Sequence, residues 1–127
     1  ITSADMAVWA ISAGACSVVN LKPGRVGGYL EAVVVHDVCV AAGVGLWCGG
    51  MLETGLGRAA NLALAGLPGF NLPGDLSASG RYFERDIVAP FLLEGGCLAV
   101  PAGPGLGVEV LADVLAEVTT SVEWVPL

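Results

Sequence analysis

Apolar residues in this chain fall into short blocks, and nearly every block ends at glycine or proline. Thr2-Ser3-Ala4-Asp5 opens the first. A hydroxyl residue with an acid three places on resembles a capping box, and an acid suits the first turn of a helix. The pattern predicts a short helix over 4–13, ended by Gly14, and a buried β-branched strand over 15–21. Gly27-Gly28 breaks the chain before a helix over 29–42, which Gly43 stops. A second apolar strand covers 44–48 and runs into Gly49-Gly50. A third helix spans 56–65, ended by Gly66 and Pro68, and a third strand covers 70–72 before Pro73-Gly74-Asp75. A polar loop over 76–85 and a short helical piece over 86–90 follow.

Short strands alternating with helices of this length predict an α/β fold of βα units on a parallel sheet. Both strand faces are apolar, as a sheet covered on both sides requires. Residues 91–127 break the rhythm with Gly95-Gly96, Pro101 to Pro104 and Gly105-Leu106-Gly107. They predict extended pieces, a helix near 112–118 and a strand-like Val-Glu-Trp-Val at 122–125. Two helices are unusual. Met6, Val8, Trp9 and Ile11 occupy more than one face of the first, and Val33, Val34, Val35, Val38 and Val40 crowd the second. A helix lying on a sheet in water is normally polar on its outer face. Three explanations fit: contact with another chain, a redesigned segment, or a piece of a larger assembly.

Composition narrows the function. The 127 residues suffice for one domain, and a formal charge of -7 disfavours nucleic acid, which wants clustered Lys and Arg. Hydrophobic residues make up 55% and charged ones 13%, yet no uninterrupted apolar run reaches the ~18 residues of a membrane span. Too few basic residues are present for an interfacial membrane helix. No basic-then-apolar leader opens the chain. Cys16, Cys39, Cys48 and Cys97 match no Cys-x-x-Cys metal spacing and read as buried reduced thiols, which places the chain in the cytoplasm.

Lys22 is the only lysine, placed where a β-branched run meets a Pro-Gly turn. An ammonium at the end of a buried strand is placed to exchange a proton with a substrate, or it simply snorkels to solvent.

Val-Asn-Leu-Lys-Pro-Gly-Arg-Val-Gly-Gly at 19–28 resembles the sixth barrel strand of the enolase superfamily, in its o-succinylbenzoate synthase and N-acylamino acid racemase group. Trp-Cys-Gly-Gly-Met-Leu-Glu-Thr-Gly-Leu-Gly-Arg-Ala at 47–59 resembles the seventh strand and its helix, and Leu-Pro-Gly-Asp-Leu-Ser-Ala-Ser at 72–79 the eighth. Val-Pro-Ala-Gly-Pro-Gly-Leu-Gly-Val at 100–108 resembles the segment that returns to the capping domain. The resemblance covers essentially the whole chain. It implies a partial (β/α)8 TIM barrel, about the last three βα units, over 1–90. The tail, 91–127, is then associated with the capping domain.

The resemblance also implies α-proton abstraction from a small carboxylate substrate. The outcome is racemisation of an N-acylamino acid or dehydration to o-succinylbenzoate, a menaquinone precursor. Mg²⁺ or another divalent metal holds the carboxylate in such enzymes. Lys22 matches the strand-six acid/base lysine. Gly50, Met51 and Leu52 match the strand-seven end that borders the acyl arm, where two glycines let backbone approach a ligand; the other reading is a tight strand exit. Glu53 is expected to orient that loop by hydrogen bonding, and Asp75 either lines the mouth or caps a turn. His36, mid-helix, is expected at the surface; Arg25 and Arg58 sit near strand ends and read equally as site residues or as structural ion-pair members.

The chain departs from the family's pattern in two respects: the apolar helix surfaces noted above, where the family normally places charged residues, and the groups that lie upstream. The family's three metal carboxylates and second lysine belong to earlier strands, so this chain is expected to hold one catalytic group and no metal site. Activity then needs a complementing chain or homo-oligomer. The alternative is a non-catalytic, natural or engineered, barrel fragment that self-assembles through its open sheet edges.

Overall fold

A computed structural model describes residues 1–126. Helix α1 (Ala4–Ser12) starts under Ser3, whose hydroxyl accepts the Met6 N–H at 3.2 Å. Such an N-cap stabilises a helix by about 1 kcal/mol. After Gly14 the chain enters β1 (Val18–Leu21), then turns through a single helical turn, α2 (Pro23–Val26), with Pro23 at its start. Gly27 (φ 90) and Gly28 (φ 122) adopt backbone angles that side chains rarely tolerate, and they aim the chain into α3 (Tyr29–Ala41). Strand β2 (Gly45–Cys48) and helix α4 (Gly55–Ala65) follow, then a 3₁₀ turn (Ser79–Arg81) and α5 (Ala112–Val118).

β1 and β2 pair in parallel, from Val18 opposite Gly45 to Leu21 opposite Cys48. Joined through α3, they make the expected βαβ unit. Alternation sets the faces. Val19 and Leu21 join the core with Ala32, Val35 and Cys39, so Asn20 and the residue after the strand, Lys22, share the opposite face. The third strand, expected over 70–72, shrinks to one parallel bridge between Leu46 and Phe70. Its side of the ladder is partly taken by a side chain: the Leu46 N–H donates to Asn71 Oδ1 at 3.1 Å.

Four expectations fail. Residues 86–90 form no helix. Asp86 spends its carboxylate on backbone N–H groups, Val88 bridges Val110, and Ala89 precedes a proline, which disfavours helical angles. Residues 122–125 are exposed and pair with no strand among the described residues, so alternation alone does not make them a strand. His36 is buried, not at the surface. Its ring nitrogens lie 2.8 Å from Pro68 O and 2.9 Å from the Asp37 carboxylate, and the ring stacks on Phe70. Cys97 is exposed and Cys16 only half-buried, whereas Cys39 and Cys48 are buried as expected.

The odd helices keep their apolar exteriors. α1 buries Ala7 and Ala10 while Trp9 is 70% exposed; α3 buries Ala32, Val35 and Cys39 while Leu30 is 89% exposed. Among the described residues, no helix is long and apolar enough to cross a membrane.

Candidate functional site

Lys22 stands at the C-terminal exit of β1, as the residue that precedes Pro23 of α2. Strand alternation aims it away from the α3 side of the sheet. Half-buried, its Nζ donates to Gly50 O at 2.8 Å and lies 3.5 Å from Met51 Sδ. The ammonium therefore spans two strand exits, from β1 to the loop after β2.

That loop is held by carboxylates. The Gly50 N–H donates to Asp75 Oδ1, and the Met51 N–H donates to Glu53 Oε2 at 2.6 Å. Asp75 thus reaches the rim from the segment after the Phe70 bridge; its own N–H faces Cys48 O at 3.4 Å. Glu53 does orient the loop, and it is itself held by α4 and α3. Asn61 Nδ2 donates to Glu53 Oε1 at 3.2 Å, and the Tyr29 hydroxyl donates to Asn61 Oδ1 at 2.8 Å. So Lys22, Gly50, Met51, Glu53 and Asp75 converge. Leu52, 72% exposed, makes no polar contact with them.

Two hollows flank the lysine. One of about 320 Å³ is lined by Lys22, Gly24, Arg25 and Met51; the other, of about 320 Å³, reaches back to Tyr29, Glu53 and Asn61. Burial, then the negative charges of Glu53 and Asp75, push the Cys48 thiol up to about 11, with Lys22 opposing them. Burial, with Cys48 and Glu53 behind it, also raises the Tyr29 hydroxyl above its ordinary value. The field at this rim is therefore anionic, and Lys22 is its counter-charge.

The C-terminal side of the loop is anchored by a buried polar hub around Arg58, whose partners the sequence did not reveal. Arg58, 0% exposed, donates to Glu53 O at 3.2 Å and Ser79 Oγ at 3.1 Å, and it pairs with Asp86 at 3.8 Å. Asp86 accepts from Gly55 N–H at 2.9 Å and Ser79 Oγ at 2.8 Å. The ion-pair expectation for Arg58 is met. Arg25 is exposed and makes no ion pair among the described residues. One signal pointed at the hub: an arginine inside a mostly apolar helix block.

No three His, Cys, Asp or Glu side chains among the described residues come together as a cation site. Residues 1–126 therefore present no ligand set that fits the divalent metal the family implies.

Comparison with known proteins places these features. The family model for the enolase C-terminal domain-like family matches residues 1–114. The chain is 62% identical over 125 residues to an N-succinylamino acid racemase of an Amycolatopsis species, covering 98% of this chain and 34% of the relative. It is 48% identical over 124 residues to the o-succinylbenzoate synthase of Bacillus subtilis (strain 168), covering 97% of this chain and 33% of that protein. A crystal structure of an enolase superfamily member from Listeria innocua superposes with TM-score 0.91 at 45% identity, over 95% of this chain and 33% of that one. A muconate lactonizing enzyme from Klebsiella pneumoniae superposes with TM-score 0.86 at 29% identity, over 95% of this chain and 34% of that one. The chain spans about a third of the length of the curated relatives it matches.

Proposed function

Because the chain belongs to the enolase C-terminal domain-like family, we propose that it supplies Lys22 as the acid/base group of a barrel enzyme that abstracts the α-proton of a carboxylate substrate. One observation carries this reading: the only ammonium of a lysine in the chain sits at the C-terminal exit of a parallel strand, hydrogen-bonded to the next strand's loop at 2.8 Å. Active sites of βα barrels gather at that end of the strands. An α-proton beside a carboxylate is weakly acidic, so a positioned base must take it while positive charge steadies the anion formed. Lys22 offers an amine for the first task in its neutral form and an ammonium for the second.

The substrate class we assign is an N-acylamino acid, its acyl arm lying along Gly50, Met51 and Leu52, with Asp75 and Glu53 holding the wall. We favour racemisation because the relative at 62% identity is named N-succinylamino acid racemase; dehydration is the alternative, since the Bacillus subtilis relative at 48% is named o-succinylbenzoate synthase. The tail, 91–127, we assign to the capping-domain side. A divalent metal would come from residues outside 1–126.

The test is exchange of the substrate α-proton in D₂O, in protein that carries this chain together with the rest of the barrel. Replacing Lys22→Ala should slow exchange ~10²–10⁴-fold, the usual contribution of a positioned acid/base group. Exchange at the parent rate in that variant would remove Lys22 from the chemistry.

A further inference from the structure

Gly49 is buried between β2 and the site loop, yet its backbone does not need glycine, since its φ lies outside the left-handed region. Packing explains it. A Cβ built at Gly49 would lie 2.4 Å from Asn20 Nδ2, 2.6 Å from Lys22 Cε and 2.9 Å from Lys22 Cγ. Those distances are far inside van der Waals contact. All three nearest atoms belong to side chains, two of them to Lys22 itself.

Asn20 closes the same space from below. It precedes Lys22 by two residues, so strand alternation puts both on one face. Its Nδ2 is fully buried and has no hydrogen-bond partner among the described residues. A buried amide donor without an acceptor is rare and costly, and such exceptions call for an explanation. Here the amide lies against the slot that the missing Gly49 side chain leaves, along with the lysine stem. Neither residue belongs to the site as assigned above.

We propose that Gly49 and Asn20 are positioning residues that together form the seat of Lys22. Gly49 leaves the slot in which the aliphatic stem lies, and Asn20 is the floor that fixes its depth. Between them they set where the ammonium emerges, at Gly50 O. The relevance of the seat to catalysis rests on the role proposed for Lys22; the seat itself does not. A methyl group at position 49 is accommodated by displacing the lysine, because no backbone atom stands among its nearest neighbours. Shortening Asn20 gives the stem room to slide down and recover its place.

Lys22 is the only lysine of these 127 residues, so ¹³C,¹⁵N-lysine placed in this segment alone, by segmental labelling where the rest of the barrel is attached, reports one side chain. Gly49→Ala should keep the amide spectrum of the folded chain and displace the Lys22 Cε signal and its pH profile. Adding Asn20→Ala should return both toward the parent, a coupling that independent sites do not show. If Gly49→Ala leaves the lysine signal in place, or if Asn20→Ala fails to reverse the displacement, the seat is overturned. If Gly49→Ala does not fold but the double variant does, the coupling is upheld; if neither folds, the collision lies with backbone and the proposal falls. None of these readouts is turnover. An inert role for Lys22 in the exchange assay would leave the seat standing, and an unmoved lysine signal would leave the acid/base role standing.

Discussion

Single residues at this rim are governed by what surrounds them in space. Cys48 and Cys97 have the same side chain and opposite settings. Cys48 is buried under the site, and its thiol is pushed up to about 11 by burial and by two nearby carboxylates. Cys97 is exposed. A thiol must be reached to react, so Cys97 should be labelled by an aromatic disulfide in the folded chain, while Cys39 and Cys48 wait for unfolding. Rapid loss of all four thiols without denaturant would contradict the burial. Legibility in the sequence divides along the same line. Lys22 was visible because it is the only lysine and follows a β-branched run, a purely local signal. His36 was misplaced because its burial depends on Pro68 and Phe70, more than thirty residues away in the chain. Gly49 looked like one more strand-ending glycine, since nothing local shows what a Cβ there would strike.

Elements with strong local signals came out where the pattern put them. α1, α3 and α4 end at Gly14, Gly43 and Gly66 within a residue or two, and β1 and β2 form the core of the expected apolar runs. α2 was hidden in a Pro-Gly turn, although a proline at a first helical position is a start signal. Of the polar hub, only Arg58 could be read as an ion-pair member; its partners could not. Arg58 and Asp86 are 28 residues apart, and their meeting is a product of tertiary folding. This hub fixes both ends of an element boundary: Arg58 holds Glu53 O and Asp86 holds Gly55 N–H, so the loop enters α4 in one geometry. Both groups are buried, with side-chain exposures of 0% and 1%. Removing one partner strands the other's charge, so Asp86→Asn or Arg58→Met should each cost about 3–5 kcal/mol of stability. Chemical denaturation checks it. The double variant should lose less than the sum of the two, because neither charge is then left unpaired. Full additivity would mean that the pair does not act as a unit.

At the scale of the whole molecule, what is missing around the residues matters as much as what is present. The sheet has two paired strands, and among the described residues β1 pairs only with β2. The face that carries Lys22 also carries Val18, 46% exposed although it lies in a strand. The outer helices add Trp9 and Leu30 to the exposed apolar surface. Burying such surface is worth roughly 25 cal/mol per Å², a strong drive toward association. The solved relative that superposes with TM-score 0.91 is matched over 33% of its length, so about two thirds of that relative lies outside the match. We therefore expect this chain to bind a polypeptide made of the remaining two thirds of the Amycolatopsis relative. α-Proton exchange on an N-succinylamino acid should appear in the mixture with Mg²⁺ and not in either part. Sedimentation should show the complex forming, and this chain alone should self-associate as its concentration rises. Lys22→Ala should leave the complex intact and remove the exchange, which separates assembly from chemistry. A chain that stays monomeric at every concentration and ignores the complementing part would show that its open edge and apolar helices are tolerated in water. The barrel reading of its function would then lose its physical basis, because a lone lysine without neighbouring strands has nothing to hold a substrate against it.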